Sequence, residues 1–502
     1  MRYLDINYKD YKSNDKCLNL LTIEFIERYN CISYTIVDDE MIVLVNEKFN
    51  LFNLNKLSFY TKLSIILIEL GMDEWNKVFK LIKISNSKAD AVYKYQMNKD
   101  DGYVSSLKEE SVTFYESEIG NAPIVRLVDT LISEAIELNA SDIHIEPNDK
   151  EIIIRFRIDG KLVYNSSLPL ESLAEISTRL KVISNLDITK KFLPQDGKLK
   201  FNIDKNEYDV RVSILPTIYG ERFSLRILYL SNKTFTIDTL QFSKIALGNV
   251  NKLINQANGL ILVVGPTGSG KSTTLQTFLI KNKERGENII TVEDPVEYTI
   301  DGINQVQVNE ESGLTFSKCL RSILRQDPNI IMVGEIRDVE TAKIACQASI
   351  TGHLVYSTLH TNDSYGVINR LLDMGVEKYL ILDALKGIIS QRLIRVLCDN
   401  CKKQVLIGEE DSKFLGVEPT QKIFKACGCN FCNYTGYLGR RAIYEVVCID
   451  DDYRKLISDN LTYNKFARLM KKKKQESLFE NAKSLALDGV TTIEEIKSII
   501  NL

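Results

Sequence analysis

Ile261–Thr274 reads ILVVGPTGSGKSTT. It is an apolar run, then Gly265-Pro266-Thr267-Gly268-Ser269-Gly270-Lys271-Ser272, then Thr273 and further helix-compatible residues. The central eight residues match G-x-x-x-x-G-K-[ST] in full, and Leu260–Val264 before them has the length of one buried strand. The glycines let backbone N–H groups close around phosphate oxygens, and the start of the following helix adds a favourable dipole. Lys271 is placed to reach the β- and γ-phosphates, and Ser272 to ligate Mg2+. ATP and Mg2+ are therefore the expected cofactors. From Leu240 onward, strand-like and helix-like stretches alternate, as an α/β domain requires.

Working outward, two acidic sites follow apolar runs downstream. Asn329–Val333 (NIIMV) is followed by Gly334-Glu335, and Ile289-Ile290 by a segment holding Glu293, Asp294 and Glu297. A single acid after a strand is usually a solvated cap. Two such sites behind one phosphate loop favour metal binding and water activation. Thr351–Asn362 (TGHLVYSTLHTN) contains His353 and His360, two of only three histidines in the chain. They flank a short apolar strand, and both are expected to sense the nucleotide.

At 502 residues the chain is too long for one core, and the sequence divides accordingly. Residues 1–95 mix possible strands (Tyr34–Ile36, Met41–Val45) with helical stretches such as Leu57–Leu70. Residues 96–112 read as a polar linker. Residues 113–230 read as a small α+β domain. Within it Pro123–Asn139 is an amphipathic helix, Ile152–Ile158 is a strand ending in the turn Asp159-Gly160, and Val210–Ile214 and Phe223–Leu228 are strands. A second linker falls at 231–239, and residues 240–502 form the α/β domain. Thr491-Thr492-Ile493-Glu494 fits a capping box for a last helix, and the block Lys471–Lys474 reads as a solvated helix face.

Lys and Arg total 64 and Asp and Glu 67, a net charge of −3. That balance argues against a general nucleic-acid binder as partner, which would normally show a basic excess. No signal-like start and no apolar run near the roughly 18 residues of a membrane span is present, so a cytoplasmic location is expected. The ten cysteines are then expected to be reduced. Cys398-x-x-Cys401 and Cys429-x-x-Cys432 are two pairs of metal-gripping spacing, and four thiolates close a tetrahedral Zn2+ site within an insert at 396–434. A redox pair would account for only one C-x-x-C at a time. Cys427 is a possible substitute ligand, and Cys17, Cys31, Cys319, Cys346 and Cys448 read as buried or free thiols.

Taken in order, ILVVGPTGSGKSTT, TVEDPVEY, INQVQVNEESGLTFSKCLRSILRQDPNIIMVGEIRD and TGHLVYSTLHTND resemble the Walker A, Asp box, Walker B and His box motifs of the type II secretion and type IV pilus assembly ATPases. Upstream, ASDIHIEP, RFRIDG and VRVSILPTIYGERFSLRIL resemble that family's second N-terminal domain. GCNFCNYTGYLGRRAIYEV resembles its cysteine-bearing subdomain. The match covers roughly residues 113–502, and His144 falls inside one of its motifs. The segment NQANGLILV lacks the proline expected ahead of its glycine, and residues 1–95 are short and weakly similar to the family's docking domain.

The resemblance implies a RecA-like P-loop domain behind a small PAS-like domain and a short N-terminal domain. It implies a homo-hexameric motor that hydrolyses ATP and acts on pilins or pseudopilins through an inner-membrane platform protein, held peripherally at the membrane. By resemblance Glu335 supports Mg2+ and water, and Glu297 is the general base. Glu293 and Asp294 belong to the Asp box. Arg211 and Arg226, with Arg157 and Arg222, are arginines that neutralise γ-phosphate charge. The zinc pairs are carried by assembly motors and generally not by retraction motors. The alternatives are a DNA-uptake or conjugation motor, and a nucleotide-gated scaffold with negligible turnover.

Overall fold

Leu260–Val264 are all fully buried. A strand with no wettable face must be covered on both sides, as in a parallel sheet between two helix layers. The computed structural model has this arrangement. It describes residues 123–203, 206–229, 236–459 and 461–500 and parts of 26–79. The expected linker at 96–112, residues 231–235 of the second linker, and Cys17 lie outside the described residues. The chain divides into two compact units, Met1–Ser231 and Asn232–Leu502.

In the first unit, β1 (Cys31–Val37) runs antiparallel to β2 (Glu40–Val45), which pairs in parallel with β3 (Ser64–Glu69). The helix expected over Leu57–Leu70 is not what forms at its C-terminal end. Residues 64–69 are a strand, consistent with the β-branched-rich run Ile65-Ile66-Leu67-Ile68.

A second sheet follows. Its elements are α1 (Pro123–Glu137), β4 (Asp142–Pro147), β5 (Glu151–Ile158), β6 (Lys161–Pro169), α2 (Leu173–Ile183), β7 (Gln195–Ile203), β8 (Asn206–Thr217) and β9 (Gly220–Leu228). The six strands lie in the order β6-β5-β4-β9-β8-β7, antiparallel throughout. Asp159 and Gly160 have φ of 48° and 83°, the left-handed pair that a two-residue hairpin needs. Alternate residues such as Ile143, Ile145, Ile154, Phe156, Val212 and Leu225 build a core with α1 and α2. The other face carries Asp142, His144, Glu146 and a set of arginines.

The second unit contains α3 (Lys244–Ile254), β10 (Gly259–Val264), α4 (Lys271–Lys283), β11 (Ile289–Glu293), β12 (Asn304–Gln307), α5 (Phe316–Ile323), β13 (Ile330–Val333), α6 (Val339–Ile350), β14 (Leu354–Leu359), α7 (Ser364–Asp373), α8 (Lys378–Ala384) and β15 (Leu385–Leu397). Then come β16 (Lys403–Leu406), α9 (Glu409–Leu415), β17 (Lys422–Lys425), β18 (Tyr437–Cys448), α10 (Asp451–Asp459), α11 (Tyr463–Lys472), α12 (Leu478–Leu487) and α13 (Ile493–Ile500). The sheet order is β12-β11-β13-β14-β10-β15-β18, parallel except for the antiparallel edge strand β18.

Along β10 the two faces separate cleanly. Leu260, Leu262 and Val264 join a core with α5, α6, α7 and α8. Ile261 and Val263 join another with α3 and α4. Burial of each such side chain contributes about 1.5–3 kcal/mol, so this strand anchors whatever leaves its end.

The last helix starts one residue later than the sequence pattern indicated. Thr492 Oγ1 accepts from Glu495 N at 3.2 Å, while the Glu495 carboxylate turns away to bind Arg395 Nη2 at 2.6 Å. The reciprocal capping box occurs instead at Ser477 and Glu480, opening α12. Of the lysine block, Lys473 is held by Asp450 and Asp452 at 2.5 and 2.7 Å.

Candidate functional site

In a parallel sheet the crevice beyond the C-terminal strand ends is where ligands bind, and the loop 265–270 leaves β10 there. Gly265, Gly268 and Gly270 have φ of 150°, 76° and 88°. A Cβ on Gly265 would stand 2.4 Å from the Gln391 carbonyl oxygen, so no side chain is tolerated without moving backbone. Gly270 caps α4 in the left-handed conformation and with no side-chain hydrogen bond, so the helix opens with bare N–H groups.

Lys271 Nζ donates to the Gly265 and Pro266 carbonyls at 2.9 and 3.0 Å, folding its ammonium back over the loop. Burial pulls that ammonium below its ordinary pKa; Glu335 and Glu297 counteract the shift, and the charge of Arg392 adds to it. Charged groups from three other segments therefore act on the Lys271 ammonium.

Glu335 follows β13. Thr358 Oγ1 donates to the Gly334 carbonyl at 2.8 Å, tying that turn to β14. One Glu335 oxygen accepts from Arg337 at 2.5 Å and the other lies 3.5 Å from His360 Nε2. Arg337 also approaches Asp294 at 3.7 Å. Glu297 is exposed in the segment after β11. Glu293 is not. Its carboxylate accepts from Thr291 Oγ1 at 2.7 Å and Gln305 Nε2 at 3.0 Å, and burial lifts its pKa above the usual carboxylate range. Ser272 is exposed in the first turn of α4, with a hydroxyl suited to a cation there.

The two histidines do not share a site within the chain. His360 follows β14 at the edge that carries the phosphate loop. His353 precedes β14, six strand residues or about 20 Å away, and its Nδ1 is 2.9 Å from the Ala348 carbonyl oxygen. The expectation that both attend the phosphate fails for His353 because a parallel strand has its two ends on opposite edges of the sheet.

In the first unit, Asp142 is gripped by Arg226 at 3.0 Å and Arg157 at 3.3 Å. Glu146 is gripped by Arg222 at 2.7 Å and Arg155 at 2.6 Å. Arg211 stands opposite Arg226 in the β8–β9 register and forms no ion pair among the described residues.

The four expected metal-binding cysteines come together. Their ligand atoms all lie within 4.8 Å of one another, with sulfur separations of 3.8 Å (Cys398–Cys429), 3.9 Å (Cys401–Cys432) and 3.7 Å (Cys429–Cys432). A tetrahedral ion with metal–sulfur bonds of about 2.3 Å sets its sulfurs about 3.8 Å apart, so the thiols fit Zn2+. The Cys429 and Gly436 backbone N–H groups each donate to Cys432 Sγ at 3.2 Å. Burial acts against the Cys432 thiolate, but those bonds outweigh it and hold the thiol below its usual pKa. Cys427 is exposed and outside the cluster.

Residues 117–498 match the family described as type II/IV secretion system protein. The chain belongs to this family. It is 44% identical over 378 residues to type II secretion system protein E of Pseudomonas aeruginosa, covering 75% of each chain. It is 36% identical over 509 residues to the type IV pilus assembly ATPase PilB of Myxococcus xanthus, covering 98% of this chain and 88% of the relative. Among solved structures, the Legionella pneumophila ATPase DotB superposes with a TM-score of 0.56 at 22% identity, over 79% of this chain and 98% of that one, which shows a shared fold.

As a secretion-family ATPase, the chain has in its second unit the parts that nucleotide chemistry needs: loop, lysine, hydroxyl and two carboxylates. Two residues had gone unnoticed in the sequence. Gln391 Nε2 donates to the Ser269 carbonyl at 2.6 Å and its Oε1 accepts from Thr274 Oγ1 at 2.9 Å, clamping the phosphate loop to β15. Arg392 donates to the Asn362 carbonyl at 2.9 Å, two residues past His360. The signal was available as Ser390-Gln391-Arg392, three consecutive polar residues in the largely buried strand Leu385–Leu397. No helix among the described residues is long and apolar enough to cross a membrane.

Proposed function

We propose that this ATPase powers assembly of a type IV pilus or pseudopilus, working as a homo-hexamer on an inner-membrane platform protein. The observation that carries the catalytic part is the convergence of Lys271, Glu297 and Glu335 at the strand end where the phosphate loop begins. The pilus reading draws on the relative PilB, whose similarity extends over nearly the whole chain.

In this reading residues 265–273 hold ATP, with Lys271 on the β- and γ-phosphates. Ser272 and Glu335 hold Mg2+, whose chemistry would be to neutralise developing phosphate charge. Glu297, the more exposed and less engaged acid, orients and deprotonates the attacking water. His360, against Glu335, senses the terminal phosphate. Arg211 and Arg226, aided by Arg157 and Arg222, supply further positive charge to the phosphates. Cys398, Cys401, Cys429 and Cys432 hold a structural Zn2+. Residues 1–95 dock to the membrane assembly and place the motor peripherally at the cytoplasmic face.

ATP turnover measured against protein concentration tests the proposal. Activity per subunit should rise with concentration and vanish in Lys271→Ala and Glu335→Gln. ATP binding with no Lys271-dependent turnover at any concentration would sink the autonomous motor. Fibre imaging in a deletion strain complemented with these variants tests the assembly role.

A further inference from the structure

Ser390 stands opposite Val264, the last residue of β10. Gln391 and Arg392 therefore run beside the first residues of the phosphate loop. Successive side chains on a strand point to opposite faces, so Gln391 reaches the phosphate loop and Arg392 the loop after β14. Both are buried.

Arg392 Nη2 donates to the Asn362 carbonyl at 2.9 Å and lies 3.3 Å from Asn362 Oδ1. Its Nη1 is buried and has no hydrogen-bond partner among the described residues. A guanidinium keeps its charge and all its donors at any physiological pH. Asp363 is the carboxylate whose charge acts on this guanidinium, but it forms no ion pair with it among the described residues. A buried guanidinium N–H left without an acceptor is strongly unfavourable, so Nη1 is open to an acceptor from outside the chain. The group follows Gln391, which is hydrogen-bonded to the phosphate loop, and its charge is felt at Lys271. An anion at that loop is the acceptor that fits.

We propose that Arg392 is a γ-phosphate contact supplied by the same chain: Nη1 donates to an oxygen of the terminal phosphate of ATP while Nη2 holds the loop that carries His360. The inference rests on the nucleotide reading of the phosphate loop. It goes further by making one side chain the link between the terminal phosphate and the His360 loop. With ADP the Nη1 contact is missing, so the loop is held less firmly after phosphate release.

The test measures binding of a non-hydrolysable ATP analogue and of ADP to the full chain, as wild type, Arg392→Gln, Arg392→Lys and Lys271→Ala. Arg392→Gln should weaken the triphosphate by about 10- to 100-fold, the size of one charged hydrogen bond, and ADP by no more than about twofold. Arg392→Lys keeps the charge but cannot serve both partners at once. It should show the same selectivity at smaller size, and it stands in if the glutamine variant does not fold. Equal weakening of both nucleotides would make Arg392 merely structural, and no weakening of either would remove it from the site; both overturn the proposal. If Lys271→Ala leaves both affinities unchanged, the nucleotide reading itself fails.

Discussion

Replacing Gln391 with leucine keeps the volume of the side chain and deletes both clamps on the phosphate loop. Gln391, Thr274 and Ser269 are 1%, 0% and 3% exposed, so water cannot take over the lost bonds. Leaving the Ser269 carbonyl and the Thr274 hydroxyl short of a partner costs about 1–3 kcal/mol each, or about 2–5 kcal/mol together after partial relaxation. The strain falls on the segment from Gly265 to the second turn of α4, because β15 stays fixed by its pairing with β10 and β18. Hydrogen exchange followed by mass spectrometry should therefore speed up at least about 30-fold in peptides spanning 265–280, since each 1.4 kcal/mol of opening free energy is tenfold in rate. Peptides from the six-stranded sheet should be unchanged. ADP affinity should fall along with the protection, because the loop must be reordered before it can bind. Unchanged exchange over 265–280, together with ADP affinity within about twofold of wild type, would refute the clamp.

Three further outcomes are expected. Glu293→Gln keeps an oxygen that can accept from Thr291 and Gln305, and should leave the protein as stable or more stable. The sign follows from burial. The raised pKa means ionised Glu293 opposes folding at neutral pH, and that opposition is relieved as pH falls through the folded-state value toward 4.5; thermal melting of the variant between pH 5 and 8 should lack this slope, and loss of turnover without loss of stability would instead put Glu293 in the chemistry. One Zn2+ per chain should be found by elemental analysis, and Cys432→Ser should remove it and loosen exchange protection at 437–440; full metal content in the variant would contradict the tetrahedral assignment. Lys181, 1% exposed, pairs with Glu221 at 2.7 Å beneath α2, so Lys181→Met should destabilise the first unit by about 3–5 kcal/mol, and adding Glu221→Leu should recover most of it, both read by chemical unfolding.

The chemistry nearest the chain was the most legible. The phosphate loop needs glycines, a lysine and a hydroxyl within eight consecutive residues, so spacing alone exposes it, and the paired C-x-x-C motifs are nearly as local. His353 was misplaced because proximity along the sequence does not say which end of a parallel strand a residue occupies; only the sheet direction does. Gln391 was missed because its partners, Ser269 and Thr274, lie far away in sequence. The strand at Ser64–Glu69 read as helix because short apolar runs carry little periodicity to separate the two. Thr492-x-x-Glu495 fits the same spacing as Thr491-x-x-Glu494, so the local pattern could not choose between the two threonines; the box is left half made because Glu495 is drawn into an ion pair with Arg395, a tertiary contact.

β15 and β18 have a consequence beyond holding the sheet edge. Their pairing runs from Gln391–Tyr444, at the phosphate loop, to Leu397–Tyr437, where the next residue of β15's chain is the first of the four cysteines. That is six residues of two-stranded ribbon, about 20 Å, with a single register shift near its far end. A ribbon of this kind bends far less readily than a loop. The cysteine knuckle is in effect the tip of a pointer whose base is the phosphate loop. A shift of the phosphate loop carried along such a ribbon would reach the knuckle as a change of angle rather than as local refolding.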